Sequence, residues 1–469
     1  MERPKLSCCA LVAEGLLRIT DEKAPCISHG MNFDGGRVVQ FRLGIMSAYS
    51  YLLSSCGSGL LIDPVRELGN YSRYLDEHGI RLEGVFLTHM HADFVAGHIE
   101  ASERYKVPVF IPRGTGAGFS HIPVGGDSEF RLGRLTLRFF SAAGSACDDV
   151  CLAVGTTAGD PALVFIGDAA EGTERRSPGP DWLPLLSGCG SGTRFYPAHE
   201  TDDCGEGWFS LDGMRRRFLA RTGGPVPPPE RTCRIGPRDT ESLRIINRSG
   251  PPVVDWENPY APETPDISEA APRSRVVDVR NAARYASGHI PFSLNIESNG
   301  RLEYWAGALF DPLDGALIVT GGNGEEIADA GRRLRIVGFD VCGFPFSAWK
   351  RAGFPVRRSS FVSAPELARA LESDGKALVL DVRTRAEWEC CRIARSVNIP
   401  LRELQERVGE VCSRKIAAVV CASGYLSAIA AGILERCGGR DVCRLTGGVG
   451  SWIEEGFPVV RGRASRSHA

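Results

Sequence analysis

The stretch that most constrains the chain is Thr88-His-Met-His-Ala-Asp93, preceded by Gly84-Val-Phe-Leu87 and followed by Phe94-Val-Ala-Gly-His98. An apolar run of strand type stops at Thr88, and His89, His91 and Asp93 follow at alternate positions. Alternate side chains of an extended segment share a face, so two imidazoles and a carboxylate are presented together. Neutral imidazole with carboxylate suits borderline divalent ions such as zinc and ferrous iron. A helix is expected from about Phe94, over Val95–Tyr105, with His98 on its surface.

The 469 residues exceed one ordinary core and lead us to expect about three domains. A chain 43% hydrophobic and 24% charged is of globular type. Its net charge of -2 argues against nucleic acid or anionic membrane as a partner. No run is long and apolar enough to span a bilayer, and Glu14 interrupts the apolar start, so a cytoplasmic location is expected. The 16 cysteines show no repeated Cys-x-x-Cys pair, which leads us to expect free thiols.

Short apolar runs at Ala48–Leu53, Gly59–Asp63, Val107–Ile111, Leu135–Phe140 and Leu163–Ile166 read as strands, and Leu68–His78 has helical spacing. This alternation predicts an α/β domain over 37–256, with residues 1–36 an N-terminal extension. Proline-rich connectors at Pro225–Glu230 and Asn258–Asp266 follow. Then a unit of about 100 residues repeats. Arg275-Val-Val-Asp-Val-Arg280 recurs as Leu378-Val-Leu-Asp-Val-Arg383, and Trp349 with Gly353-Phe-Pro-Val as Trp452 with Gly456-Phe-Pro-Val. A period that long marks a duplicated domain, over 268–357 and 360–463. In the second copy an apolar strand ends in Cys421-Ala-Ser-Gly-Tyr-Leu-Ser427, and a helix follows. Backbone N–H groups at a helix start stabilise a thiolate or persulfide anion, so Cys421 is the candidate nucleophile. The first copy has Gly321 at that position, which makes it a structural or docking domain, with His289 a framework residue bonding the backbone.

The Thr88–Asp93 stretch resembles the metallo-β-lactamase superfamily motif. Ile166-Gly-Asp168 matches that family's strand-end aspartate, and Tyr196-Pro-Ala-His199 its last histidine. With the two Asp-Val-Arg domains, residues 38–462 resemble bacterial fusions of a persulfide dioxygenase with rhodanese domains. The resemblance implies an α/β fold: a metallo-β-lactamase αββα sandwich followed by two rhodanese-like α/β domains. It implies oxidation of glutathione persulfide, or another small persulfide or thiol, to sulfite. It further implies sulfur transfer at Cys421, with Ala422, Ser423, Gly424, Tyr425 and Ser427 forming the loop around the sulfur. The metal implied is Fe(2+), with Zn(2+) the other candidate, held by His89, by Asp168 and by a histidine at the position of Ser145.

Serine is a poor ligand, so Ser145 leaves two of three ligands. Three outcomes stay open. His91, Asp93, His199 or the Cys147 thiolate rebuilds the site, the metal binds weakly, or the chemistry is lost. Other departures are Leu426, where the family pattern has arginine, and Cys391-Arg392, where it has Gly-His. A catalytically silent persulfide carrier or sensor acting through Cys421 is therefore an alternative. A glyoxalase II-like metallo-hydrolase is another, weakened by Phe94 and Ser145. Homo-oligomerisation is left open.

Overall fold

The computed structural model describes residues 26–141, 150–156, 160–168, 182–200, 207–215, 241–254, 275–374, 377–411, 414–439 and 442–461. Ser145 and Cys147 lie outside them. The chain divides into two compact units. One takes the described residues of Val12–Trp256 with Ile336–Gly338, the other those of Glu257–Arg335 and Phe339–Ala469.

The first unit holds two sheets. Seven strands lie side by side in chain order: β1 (Cys26–Phe33), β2 (Gly36–Leu43), β3 (Ala48–Ser55), β4 (Ser58–Ile62), β5 (Arg81–Phe86), β6 (Val109–Pro112) and β7 (Ile122–Val124). The first four pair antiparallel, and β4 through β7 pair parallel. The second sheet comprises β8 (Glu129–Leu132), β9 (Leu135–Ser141), β10 (Val150–Gly155), β11 (Leu163–Gly167), β12 (Arg194–Pro197) and β13 (Phe209–Ser210), in the order β13-β12-β11-β10-β9-β8.

β3 shows why the sheets stack. All of Ala48–Ser55 is buried. Alternation sends Tyr49, Tyr51 and Leu53 into the seam between the sheets, where the Tyr51 ring lies 5.0 Å from Phe165 and 5.4 Å from Tyr196. Tyr71 of the helix Gly69–Glu77 packs on Phe41 (4.7 Å) at the outer face of the first sheet. Leu185 and Leu186 of the helix Trp182–Ser187 cover Cys151, Ala153, Val164 and Ile166 on the second. The layers are αββα, as the resemblance implies.

Two expectations are corrected here. The sheet begins at Cys26, inside the stretch read as an extension. β1 is an edge strand with only partial burial, so it carries no clear apolar period. The helix after the histidine motif begins at His98, not near Phe94, and His98 is fully buried rather than on the surface. Asn247 contributes to the later start. It accepts a hydrogen bond from the Ala96 N–H and donates to the carbonyls of His91 and Phe94 (2.9 Å each), holding 94–97 out of the helix.

The second unit repeats one parallel plan. β14 (Val276–Asp278), β15 (Leu294–Asn295), β16 (Leu317–Gly321) and β17 (Val341–Pro345) form a sheet in the order β15-β14-β16-β17. β18 (Ser360–Val362), β19 (Leu378–Asp381), β21 (Ser396–Asn398), β22 (Ile416–Val420) and β23 (Cys443–Leu445) form another, in the order β18-β23-β22-β19-β21. β20 (Cys391–Ile393) pairs antiparallel with β24 (Val459–Arg461).

The duplication extends to single hydrogen bonds. Buried Arg280 binds Asp278 (2.9 Å) and the Gly288 carbonyl (2.8 Å); Arg383 binds Asp381 (3.0 Å) and the Cys391 carbonyl (2.7 Å). At Cys391, as at Gly288, the backbone carbonyl meets the arginine. Trp349 and Trp452 donate to the carbonyls of Pro355 and Pro458 (2.8 and 3.0 Å).

Candidate functional site

In the first unit the site is built at the ends of three strands. β4 and β5 are parallel neighbours, and Asp63 leaves β4 in the left-handed region (φ 49°) beside the end of β5. Its carboxylate accepts from the Thr88 N–H and hydroxyl (2.8 Å each) and faces His91 Nε2 at 3.2 Å. Because the one Thr88 hydroxyl proton goes to Asp63, that oxygen can only accept from His89 Nδ1, 2.9 Å away. Neutral His89 then carries its lone pair on Nε2, which lies 3.5 Å from Asp168 Oδ2. Asp168 follows β11 through Gly167 (φ 51°), where a Cβ would lie 2.6 Å from the Thr88 hydroxyl. His199, after β12, sets Nε2 at 3.4 Å from Asp168 Oδ1 and 3.2 Å from Asp93 Oδ2.

The five predicted residues of this site therefore meet in one chain of alternating imidazoles and carboxylates. Asp63 and Asn247 belong to it as positioning residues and were not singled out by sequence. Their roles come from a neighbouring strand and a distant helix, which no local motif announces. Burial alone would push His91 down; Asp63 and Asp93 outweigh it and push it up to about 10. Burial likewise opposes the Asp93 charge, but His199 and His91 hold that carboxyl below its ordinary range. Burial pushes His98 down to about 3 and keeps it neutral.

The ferrous triad that the resemblance implies is not met. Position 145 is serine. Among the described residues, no three His, Cys, Asp or Glu side chains are arranged to hold a metal ion. His91 offers no substitute, since its Nε2 is turned to Asp63. The described residues form an ion-pair network.

In the second unit, β22 delivers Cys421 to the start of the helix Tyr425–Arg436. The Gly424 N–H points at its Sγ, 3.0 Å away. Gly424 caps the helix with φ 107°, and Ser427 closes the loop onto the Gly424 carbonyl (2.9 Å). Below it, Gly448 (φ 64°) approaches so closely that a Cβ would lie 2.3 Å from the Cys421 carbonyl oxygen. Ala422 and Ser423 are exposed, Tyr425 and Leu426 half-buried, and Cys421 buried at 1% exposure.

At the matching loop of the first repeat, the Gly322 N–H donates to the Glu326 carboxylate (2.6 Å) and a side chain replaces the missing thiol. His289 bonds a backbone carbonyl, that of Tyr285 (3.1 Å), and its Nε2 lies 2.9 Å from Glu435 Oε2 of the helix Tyr425–Arg436.

Family models describe both units. Residues 43–217 match the metallo-beta-lactamase superfamily, and residues 264–345 and 363–455 each match the rhodanese-like domain. The chain is a metallo-β-lactamase domain followed by two rhodanese-like domains. This metallo-β-lactamase–rhodanese chain is 31% identical over 29% of its length to an HTH-type transcriptional regulator of Mycobacterium tuberculosis, and spans 54%, about half, of that protein. It is 27% identical over 21% of its length to a sulfurtransferase of Allochromatium vinosum, spanning 92% of it. A metallo-beta-lactamase structure from Staphylococcus aureus, 18% identical, covers 66% of this chain and 99% of its own at a TM-score of 0.50, a likeness of fold. Members of both families are typically enzymes, and metallo-β-lactamase proteins commonly bind divalent metals. Among the described residues no helix is long and apolar enough to cross a membrane.

Proposed function

We propose that this chain handles sulfane sulfur and that Cys421 is its working centre. The observation that carries this is the Gly424 N–H aimed at Sγ from the start of a twelve-residue helix. A donor N–H at a helix start favours a sulfur anion over a neutral thiol. The rhodanese match at 363–455 and the likeness to a sulfurtransferase support the same reading.

In the proposed step the Cys421 thiolate attacks the outer sulfur of a low-molecular-weight persulfide, R–S–S⁻. The donor S–S bond breaks, its electron pair stays on R–S, and R–S takes a proton to leave as R–SH. A new S–S bond leaves Cys421–S–S⁻, with no net oxidation. The Gly424 N–H would hold the transferred charge. A thiol acceptor reverses the steps.

The metallo-β-lactamase unit is proposed to descend from a persulfide dioxygenase whose iron chemistry is reduced or absent, because Ser145 removes one ligand. The aligned His89 Nε2 and Asp168 favour a residual metal affinity as the second reading.

The test is mass spectrometry of the full chain after anaerobic exposure to glutathione persulfide. The expected result is about 32 Da, one sulfur atom, on the peptide holding Cys421, and no such gain there in Cys421→Ser. An unmodified Cys421 in the wild-type chain would sink the reading.

A further inference from the structure

The loop from Cys421 to Ser427 contains no cation. A cation nevertheless lies close by. Arg444 sits on β23 opposite Val419 of β22, two residues before Cys421. Ala418, Val420 and Leu445 turn into the core of the second repeat. By alternation Val419, Cys421 and Arg444 share the other face of the sheet. On that face Arg444 is 1% exposed, among the largest fully buried side chains of the described residues.

Its described surroundings leave two of its three nitrogens without a hydrogen-bond partner. Nη2 donates to the Ala282 carbonyl at 3.2 Å, and the guanidinium lies 4.4 Å from the Phe361 ring centroid. Nε and Nη1 are buried with no hydrogen-bond partner among the described residues, and no carboxylate there lies within ion-pair distance. Burial holds Arg444 below its ordinary range; the groups whose fields favour its charge are Tyr285, Cys421 and Glu297. A buried cation with no ion-pair partner in contact is costly, so its retention beside a thiol points to an anion that arrives later. The bland alternative is a tie between the repeats through Ala282, but that uses one nitrogen of three.

We propose that Arg444 is the specificity-determining cation of the Cys421 centre, attracting anionic sulfur donors and holding the anionic persulfide formed there. The proposal rests on the reading of Cys421 as a sulfur carrier. It makes the preferred substrate an anionic sulfane-sulfur donor, and it assigns the loop's missing charge to the neighbouring strand.

Paired alkylation tests this on the full chain. Iodoacetate and iodoacetamide attach to the same thiolate with loss of iodide, and only the first carries a negative charge. At Cys421 the iodoacetate-to-iodoacetamide rate ratio, read by peptide mass, should exceed that at exposed Cys437 by about tenfold, the order expected for one partly screened charge. Arg444→Met should bring the ratio down to that of Cys437, and Arg444→Lys should restore most of it. A wild-type ratio equal to that of Cys437 would overturn the proposal without depending on any variant's folding. A ratio unchanged in Arg444→Met, or lost equally in Arg444→Lys, would also overturn it. Absence of sulfur uptake from glutathione persulfide with a high alkylation ratio would instead uphold the cation and remove the carrier reading.

Discussion

Single hydroxyls and hydrogens decide the geometry at both centres. The Thr88 hydroxyl joins Asp63 to His89 and sets the tautomer of that imidazole. Thr88→Val keeps the shape and strands one buried Asp63 oxygen, so a loss of about 1–3 kcal/mol in the first unit is expected from denaturant unfolding. Gly448 is held at φ 64° against the Cys421 carbonyl, where any Cβ collides with backbone. Gly448→Ala should cost about 1–3 kcal/mol and slow sulfur uptake at Cys421 markedly, read by melting temperature and peptide mass. Uptake at the wild-type rate would show that the loop is not held by this contact.

At the scale of elements, the helix Tyr425–Arg436 has a task at each end. Its start faces Cys421, and its last turn docks on the first repeat. There Glu435 accepts from the Phe292 N–H (3.0 Å) and pairs with His289, while Arg436 donates to the Phe292 carbonyl (2.9 Å). The cysteine-free repeat thus holds the far end of the helix that starts beside Cys421. Burial opposes the Glu435 charge, but His289 and the Phe292 N–H more than offset it and keep this carboxyl below its ordinary range. A carboxyl lowered on folding stabilises the fold above the ordinary glutamate pKa, and that contribution is lost as pH falls through the lowered value. Protection factors of the amides in the last turn of this helix, with the intrinsic pH dependence of exchange divided out, should therefore fall in acid, and Glu435→Gln should remove most of that fall; equal acid sensitivity in both chains would contradict it. Elements differ in how far local sequence announces them. The loop Cys421–Ser427 is contiguous, so strand, turn and helix start are readable in order. Arg444 and Asp63 act across strand neighbours, and Asn247 reaches back to 91–96 from another helix, so their roles appear only in three dimensions. His98 misleads because a helix period says which face a residue takes but not where the helix begins.

Across the whole molecule, the two candidate sites differ in what their described residues supply. The sandwich keeps the strand ends, the turn at Gly167 and the imidazole–carboxylate chain, because these are also its packing. Among its described residues no third metal ligand joins His89 and Asp168, and position 145, where the resemblance expects a histidine, is serine. Protein purified without oxygen should hold iron well below one atom per chain, and Ser145→His should raise that content if the rest of the site is intact. Near-stoichiometric iron in the wild-type chain would mean that the site is rebuilt from other donors. Handling of sulfur at Cys421, without oxidation at the His89–Asp168 site, is decided by following the sulfane sulfur of glutathione persulfide in air. The expected result is a persulfide on Cys421 with little oxygen consumed and little sulfite formed. Stoichiometric oxygen uptake and sulfite release that persist in Cys421→Ser would contradict it.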